Sequence, residues 1–178
     1  GAGVQLSGGI TINNALIVNV SGQQNGINSG GVIQSVSGIN TWAGAITQNS
    51  GFASNYGADV GATLNITGTW IAANSGAFGG GGTINLQSAL PAFSTATLIY
   101  GGPDGTGTTV NLTANSPAFN TALPIRNGSF NISGSGVKVG GTAAITVDQG
   151  STLFINDTAA TANRLASRTM TLEAGNFN

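Results

Sequence analysis

Residues 84–99 read INLQSALPAFSTATLI, and residues 110–125 read VNLTANSPAFNTALPI. The two stretches align without a gap at an offset of 26 residues, and each runs from an apolar-Asn-apolar triplet to a shared Pro-Ala-Phe block. Self-similarity at a period of roughly 20–50 residues is typical of solenoids, propellers and other repeat arrays. The repeated block therefore favours an array of stacked units over an ordinary globular domain.

Four apolar-Asn-apolar triplets start at residues 64, 84, 110 and 130, so that their spacings are 20, 26 and 20 residues. A propeller blade needs around 40 residues. A β-sandwich gives regular short strands, but it is not expected to repeat a Pro-Ala-Phe block one coil apart. We therefore predict an all-β fold, a right-handed parallel β-helix (β-solenoid) with coils of about 20–26 residues. Residues 1–178 are expected to form one such segment, an excerpt or repeat unit of a longer or polymeric surface protein.

Stacking in a parallel β-helix places equivalent residues of successive coils above one another. The Asn residues of the triplets are therefore predicted to form a ladder whose side-chain amides bond along the axis. The two phenylalanines of the repeated block are likewise predicted to stack in or beside the core. The predicted ladder consists of Asn65, Asn85, Asn111 and Asn131, and the predicted stacked pair is Phe93 and Phe119.

Charge is scarce throughout the chain. Its 178 residues include nine charged side chains and neither His nor Cys, and no charge precedes Asp59. A typical domain is about a quarter charged, and most active sites are built from ionisable side chains or metals. We therefore predict a protein that is not an enzyme and that has no catalytic residue, cofactor or metal.

The same composition limits the partners. Four basic residues cannot neutralise many phosphates, so nucleic acid is not expected as a partner. No apolar run approaches the length of a membrane span. A net charge of −1 gives little repulsion between molecules, which favours association. The expected partners are other copies of the chain or neighbouring repeats, with surface glycans as a further possibility.

Two features keep a carbohydrate-directed function open. β-Helix lyases and hydrolases need clustered acids, and Asp148 and Glu173 lie 25 residues apart, close to one coil. Solvated charges on turns are the preferred interpretation of these two acids. An aromatic platform could also bind sugars, although a core role is preferred for Trp42; its members would be Trp42, Trp70 and Tyr56. Arg164 is expected to cap a turn.

Two stretches resemble a known bacterial repeat. Residues 38–47 read GINTWAGAIT and lead to GATLNITG at 61–68, while VDQGSTLFI at 147–155 leads through NRL at 163–165 to TMTLEAGNF at 169–177. This order resembles the autotransporter-associated β-strand repeat (passenger-associated transport repeat) of bacterial surface proteins. The likeness covers about half of the chain.

The resemblance implies a parallel β-helix, export across the cell envelope and a passive role as stalk or adhesive passenger. It carries no catalytic residues. The expected function is a non-catalytic structural or adhesive segment of a secreted or cell-surface fibre, whose β-coils stack end to end into filaments. The alternative is a carbohydrate-binding or polysaccharide-degrading β-helix domain.

Overall fold

Short β-strands build the chain. The computed structural model describes residues 3–19, 31–49, 54–72, 76–94, 96–156 and 162–173, and within these ranges it contains eighteen strands and no helix. In chain order the strands are β1 Val4–Ser7, β2 Thr11–Ile12, β3 Leu16–Val18, β4 Ile33–Ser37, β5 Ile39–Trp42, β6 Ile46–Gln48, β7 Ser54–Ala58, β8 Thr63–Ile66, β9 Trp70–Ala72, β10 Gly76–Gly79, β11 Thr83–Leu86, β12 Leu98–Tyr100, β13 Thr108–Leu112, β14 Leu123–Arg126, β15 Gly128–Ser133, β16 Ile145–Val147, β17 Thr152–Asn156 and β18 Met170–Leu172.

Three parallel sheets run along the molecule. The eight-stranded sheet has the order β1-β4-β7-β10-β12-β14-β16-β18, the seven-stranded sheet β17-β15-β13-β11-β8-β5-β2, and the three-stranded sheet β3-β6-β9. Neighbouring strands are parallel and belong to successive coils. The chain visits all three sheets in each of the first three coils and alternates between the two longer sheets from β10 onwards, so that each circuit lies on the preceding one. The predicted all-β parallel solenoid is confirmed.

Coil length agrees with the prediction except at the start of the chain. Asn65 and Asn85 are 20 residues apart on neighbouring coils, and Asn85 and Asn111 are 26 apart. Ser7 and Ser37, however, lie on neighbouring coils 30 residues apart, so the first coil exceeds the predicted 20–26 residues. Its extra length falls between the end of β3 at Val18 and the start of β4 at Ile33.

Apolar columns fill the interior of the solenoid. Leu64 pairs with Ile84, and Ile66 pairs with Leu86, on neighbouring strands of the seven-stranded sheet, and all four side chains are fully buried. The residues between them face outwards, as a period of two requires. Burying a Leu or Ile side chain contributes about 1.5–3 kcal/mol. A slip of one residue would expose every such column, which holds the coils in register.

Asn40 joins the first two coils through a fully buried side chain. Its Oδ1 atom accepts hydrogen bonds from the backbone N–H groups of Gly9 and Ile10, at 3.1 and 3.0 Å. Its Nδ2 atom donates to Ser35 Oγ and to the carbonyl of Ser37, both at 2.8 Å. A buried amide is stable when it is satisfied in this way. The Asn of the quoted GINTW stretch is therefore a link between coils.

Candidate functional site

The outer side of the seven-stranded sheet carries two columns of uncharged polar side chains. Strand pairing aligns the columns from β8 to β15, and every member is partly exposed. We call this surface the Thr/Asn face. Its first column consists of Thr63, Thr83, Thr109 and Ser129, and its second column consists of Asn65, Asn85, Asn111 and Asn131.

The structure brings the four asparagines together in a hydrogen-bonded ladder. The Nδ2 atom of Asn85 donates to Asn65 Oδ1 at 2.8 Å, that of Asn111 to Asn85 Oδ1 at 2.8 Å, and that of Asn131 to Asn111 Oδ1 at 2.7 Å. The chain of amides begins at Thr41, whose Oγ1 accepts from Asn65 Nδ2 at 3.3 Å. All of these bonds point the same way, so neighbouring amides polarise one another.

Each ladder amide can still bind outside groups. A primary amide has two N–H donors and a carbonyl oxygen with two lone pairs. Asn85 and Asn111 each use one donor and one lone pair within the ladder. Each therefore keeps one donor and one lone pair for solvent or for a neutral hydroxylated ligand.

A shallow, open groove of about 290 Å³ runs beside the Thr column. Hydroxyl, amide and glycine backbone groups line it, and no charged residue is among them. The lining residues are Gly107, Thr108, Thr109, Asn127, Gly128, Ser129, Gly150 and Thr152. These groups can exchange hydrogen bonds with a neutral ligand, but they provide neither a general acid nor a general base.

Phe93 and Phe119 meet in the core, where they are 5% and 0% exposed. Their ring centroids lie 6.0 Å apart with an angle of 88° between the planes, so the contact is edge-to-face, an arrangement that aromatic pairs favour. Trp70 extends this column from Phe93 at 5.9 Å, and Tyr56 follows Trp70 at 4.9 Å.

The three aromatic residues that were considered for a sugar-binding platform are buried. Trp42, Trp70 and Tyr56 are 4%, 8% and 0% exposed. A platform needs exposed ring faces, so that hypothesis is wrong for these three residues. Their positions belong to the inward face of strands β5, β9 and β7, which is why they pack in the core.

Arg168, for which the sequence predicted no role, ends the aromatic column. Its guanidinium carbon lies 5.1 Å from the centroid of the Phe119 ring, a cation–π contact. Its nitrogens donate to four backbone carbonyls, those of Phe119, Thr121, Gly140 and Ala143. Burial lowers the pKa of Arg168, although a guanidinium stays protonated in proteins. The coil period could have indicated one of these contacts, because Ala143 lies 25 residues, about one coil, before Arg168.

Arg164 lies on the same turn-rich segment and is 5% exposed. Its Nη2 atom donates to the carbonyl of Gly134 at 2.6 Å, and its own carbonyl accepts from the N–H of Val139 at 2.9 Å. The side chain thus reaches from one coil to the next.

In the described ranges, no group of three or more His, Cys, Asp or Glu residues is close enough to hold a metal ion. Strand pairing of Val147 with Leu172 puts Asp148 and Glu173 at equivalent positions of neighbouring coils. Asp148 forms an exposed ion pair with Arg126 at 3.4 Å. Hydrogen bonds from the backbone and the hydroxyl of Thr106 lower the pKa of Asp104. Asp157 and residues 174–178 lie outside the described residues.

The last described coil leaves apolar side chains uncovered. Met170 and Leu172 pair with the buried residues Ile145 and Val147, yet they are 55% and 80% exposed. On the seven-stranded sheet Ile155 pairs with the buried Ile132 and is 42% exposed. We call the three residues Ile155, Met170 and Leu172 the open end.

Comparisons with protein-family models, curated proteins and solved structures found no match to this chain. Among the described residues, no helix is long and apolar enough to span a membrane.

Proposed function

We propose that this chain is a non-catalytic structural or adhesive segment of a bacterial cell-surface or extracellular fibre, in which β-coils stack end to end. The observation that supports the proposal best is the ladder of four asparagines. Like charges on neighbouring strands repel, whereas identical amides hydrogen-bond to one another. A contact of this kind can repeat from coil to coil without a growing electrostatic penalty, which suits a scaffold.

Membership of the autotransporter-associated β-strand repeat proteins is part of this proposal. Two residues of the GINTW stretch support it, because Asn40 links coils and Trp42 lies in the core. A structural repeat needs residues that link its coils and residues that fill its core. Sequencing the full reading frame tests the membership. We expect a signal peptide and further copies of the repeat, and a frame that has neither contradicts it.

Immunogold electron microscopy of cells that carry the gene tests the fibre proposal. Antibodies against the purified chain are expected to decorate fibres or a layer outside the cell. A strain from which the gene has been deleted is the matched control and should remain unlabelled. Labelling confined to the cell interior contradicts the proposal.

Binding of a neutral carbohydrate is the second candidate function. The groove beside the Thr column supports it, because its lining offers hydroxyl and amide groups without charge. A glycan array tests the candidate, and neutral glycans should bind better than uronic-acid polymers. Replacing Ser129 in the groove by Tyr should block binding, whereas the same change at exposed Ser7 should not. An array without signal, or binding that survives Ser129→Tyr, contradicts this function.

A further inference from the structure

The Thr/Asn face repeats one set of hydrogen-bonding groups from coil to coil. On each of its strands a hydroxyl side chain lies two residues before an amide, so both point outwards at the same level of the solenoid. Neighbouring parallel strands lie about 4.8 Å apart, so the same pair of groups recurs at that interval along the axis. A ligand that presents identical groups at a similar interval can bind every coil in the same way.

Apolar residues limit this array on both sides. Ile39 pairs with Thr63 and occupies the next position of the Thr column. Phe154 pairs with Asn131 and occupies the next position of the Asn column. A complete pair of a hydroxyl and an amide is therefore found on four successive coils of this face, those of strands β8, β11, β13 and β15.

The hydroxyl column is free to bind outside groups, as the ladder amides are. A hydroxyl has one donor and two lone pairs. Ser129 Oγ and Thr109 Oγ1 share a contact of 3.4 Å, which is longer than an ordinary O–H···O hydrogen bond, and both residues are partly exposed. These two hydroxyls can therefore bind a ligand hydroxyl without first losing a strong bond between themselves.

The groove beside the Thr column extends along the solenoid axis. Its lining comes from neighbouring positions on three successive coils, those of β13, β15 and β17. In that direction one kind of group repeats, whereas along a strand the outward groups change from the hydroxyl of Thr109 to the amide of Asn111. A polymer of one repeating unit therefore matches the axis better than it matches the strand.

We propose that the Thr/Asn face binds an extended neutral polysaccharide that lies along the solenoid axis, with one sugar residue on each of the four coils. Sugar hydroxyls both donate and accept hydrogen bonds, and an extended sugar residue is similar in length to the coil spacing of about 4.8 Å. Neither the two columns nor the groove lining contains a charged residue. A uronic acid would lose hydration of its carboxylate there without meeting a cation. The inference rests on the second candidate function and adds the orientation and the length of the ligand.

Oligosaccharides of increasing length test this arrangement. The probes are β-1,4-linked gluco- and manno-oligosaccharides of two to six residues, which are extended, and titration calorimetry measures their dissociation constants. In at least one series, each residue up to the fourth should lower the constant about twofold to tenfold, because it gains a neutral hydrogen bond on one more coil. The fifth and sixth residues should add little. Malto-oligosaccharides are the control, because their α-1,4 linkage curves the chain, and they should not show this dependence.

Thr63→Ile tests the position of the ligand, because it removes one hydroxyl at the edge of the array and leaves the ladder intact. The dissociation constant of the four-residue probe should rise about twofold to tenfold, whereas that of the three-residue probe, which fits the other three coils, should change far less. Thr146→Ile is the matched control, since Thr146 is also a partly exposed strand residue but lies on β16 of the eight-stranded sheet. Isoleucine suits a strand, so both variants should keep the circular dichroism of the parent.

Three results overturn the inference: no binding of either β-linked series, dissociation constants that are independent of length or continue to fall beyond four residues, or equal effects of the two isoleucine variants. The second candidate function has its own test in the glycan array. Array binding of a neutral glycan together with any of these three results supports that function and contradicts the extended ligand. An array without signal contradicts both.

Discussion

Asn85 donates a hydrogen bond to Asn65 across 20 residues of sequence, with 2.8 Å between Nδ2 and Oδ1. The two strands are parallel and in register, so the side chains lie at the same position of neighbouring coils. The same bond recurs between Asn111 and Asn85, although that coil is 26 residues long. The strands therefore keep their register while the turns absorb the difference in length.

Removing an interior amide should weaken the stack. Asn111 accepts from Asn131 and donates to Asn85, so Asn111→Val breaks both bonds and keeps a residue that suits a strand. We expect a loss of about 1–2 kcal/mol in the free energy of unfolding, measured by urea denaturation. Thr109→Val is the control on the same strand, because Thr109 Oγ1 forms only a 3.4 Å contact with Ser129. Equal losses in the two variants would show that the ladder contributes nothing of its own.

Arg168 should contribute far more to stability than the exposed Arg126. Arg168→Met leaves four carbonyls, two of them in buried hydrogen bonds, without their donor. Each unsatisfied buried group costs about 1–3 kcal/mol, so we expect a loss of at least about 3 kcal/mol. Arg126→Met removes only an exposed ion pair and should cost at most about 1 kcal/mol.

Arg168→Lys refines this test of the buried guanidinium. Lysine keeps the charge but has three donors on one atom instead of a planar fork, so the variant should stay well below the parent in stability. Urea denaturation measures all three variants. A lysine variant as stable as the parent would mean that charge alone matters, which contradicts the role assigned to the four hydrogen bonds.

Glycines in this solenoid are required for two different reasons. A Cβ atom on Gly68 would lie 1.9 Å from the carbonyl oxygen of Gly44 on the neighbouring coil, whereas Gly61 has open space but a φ of +79°. Gly61→Ala should cost about 1–2 kcal/mol through backbone strain, and Gly61→Asn less, because Asn tolerates this conformation. Gly68→Asn should be no better than Gly68→Ala. Thermal unfolding ranks the stabilities of these variants. If Gly68→Asn were more stable than Gly68→Ala, the close approach of coils would be ruled out as the cause.

Alkaline pH should destabilise the fold through Tyr56. Desolvation raises the pKa of its buried hydroxyl far above the ordinary 10.0, and burial also raises the pKa of Tyr100. The unfolded chain loses these protons first, so stability is full below pH 10 and falls as pH rises towards the folded-state values. Tyrosinate absorbance and circular dichroism should change together in one cooperative step. Tyr56→Phe should make that step less steep in pH, and ordinary titration of both tyrosines in the folded protein would contradict this account.

Much of the fold could be predicted from the repeated block and the Asn triplets. Their period defines the coil, and their alternation separates inward from outward residues. The length of the first coil could not be predicted, because the regularly spaced series of triplets begins only at residue 64. The role of Arg168 was also missed, since its partners are backbone carbonyls of residues up to 49 positions away. Every residue has a backbone carbonyl, so the sequence does not show which carbonyls a distant arginine binds.

Period, alternation and charge content are properties of short stretches of chain, and they were sufficient to define a parallel solenoid with stacked asparagines and phenylalanines. Two properties depended on the assembled coils. Exposure of Met170 and Leu172 depends on whether another coil covers them, although their sequence resembles that of a buried strand. The buried position of Arg168 depends on the carbonyls and the Phe119 ring around it. Burial is a relation between distant residues, and it exists only once the coils have stacked.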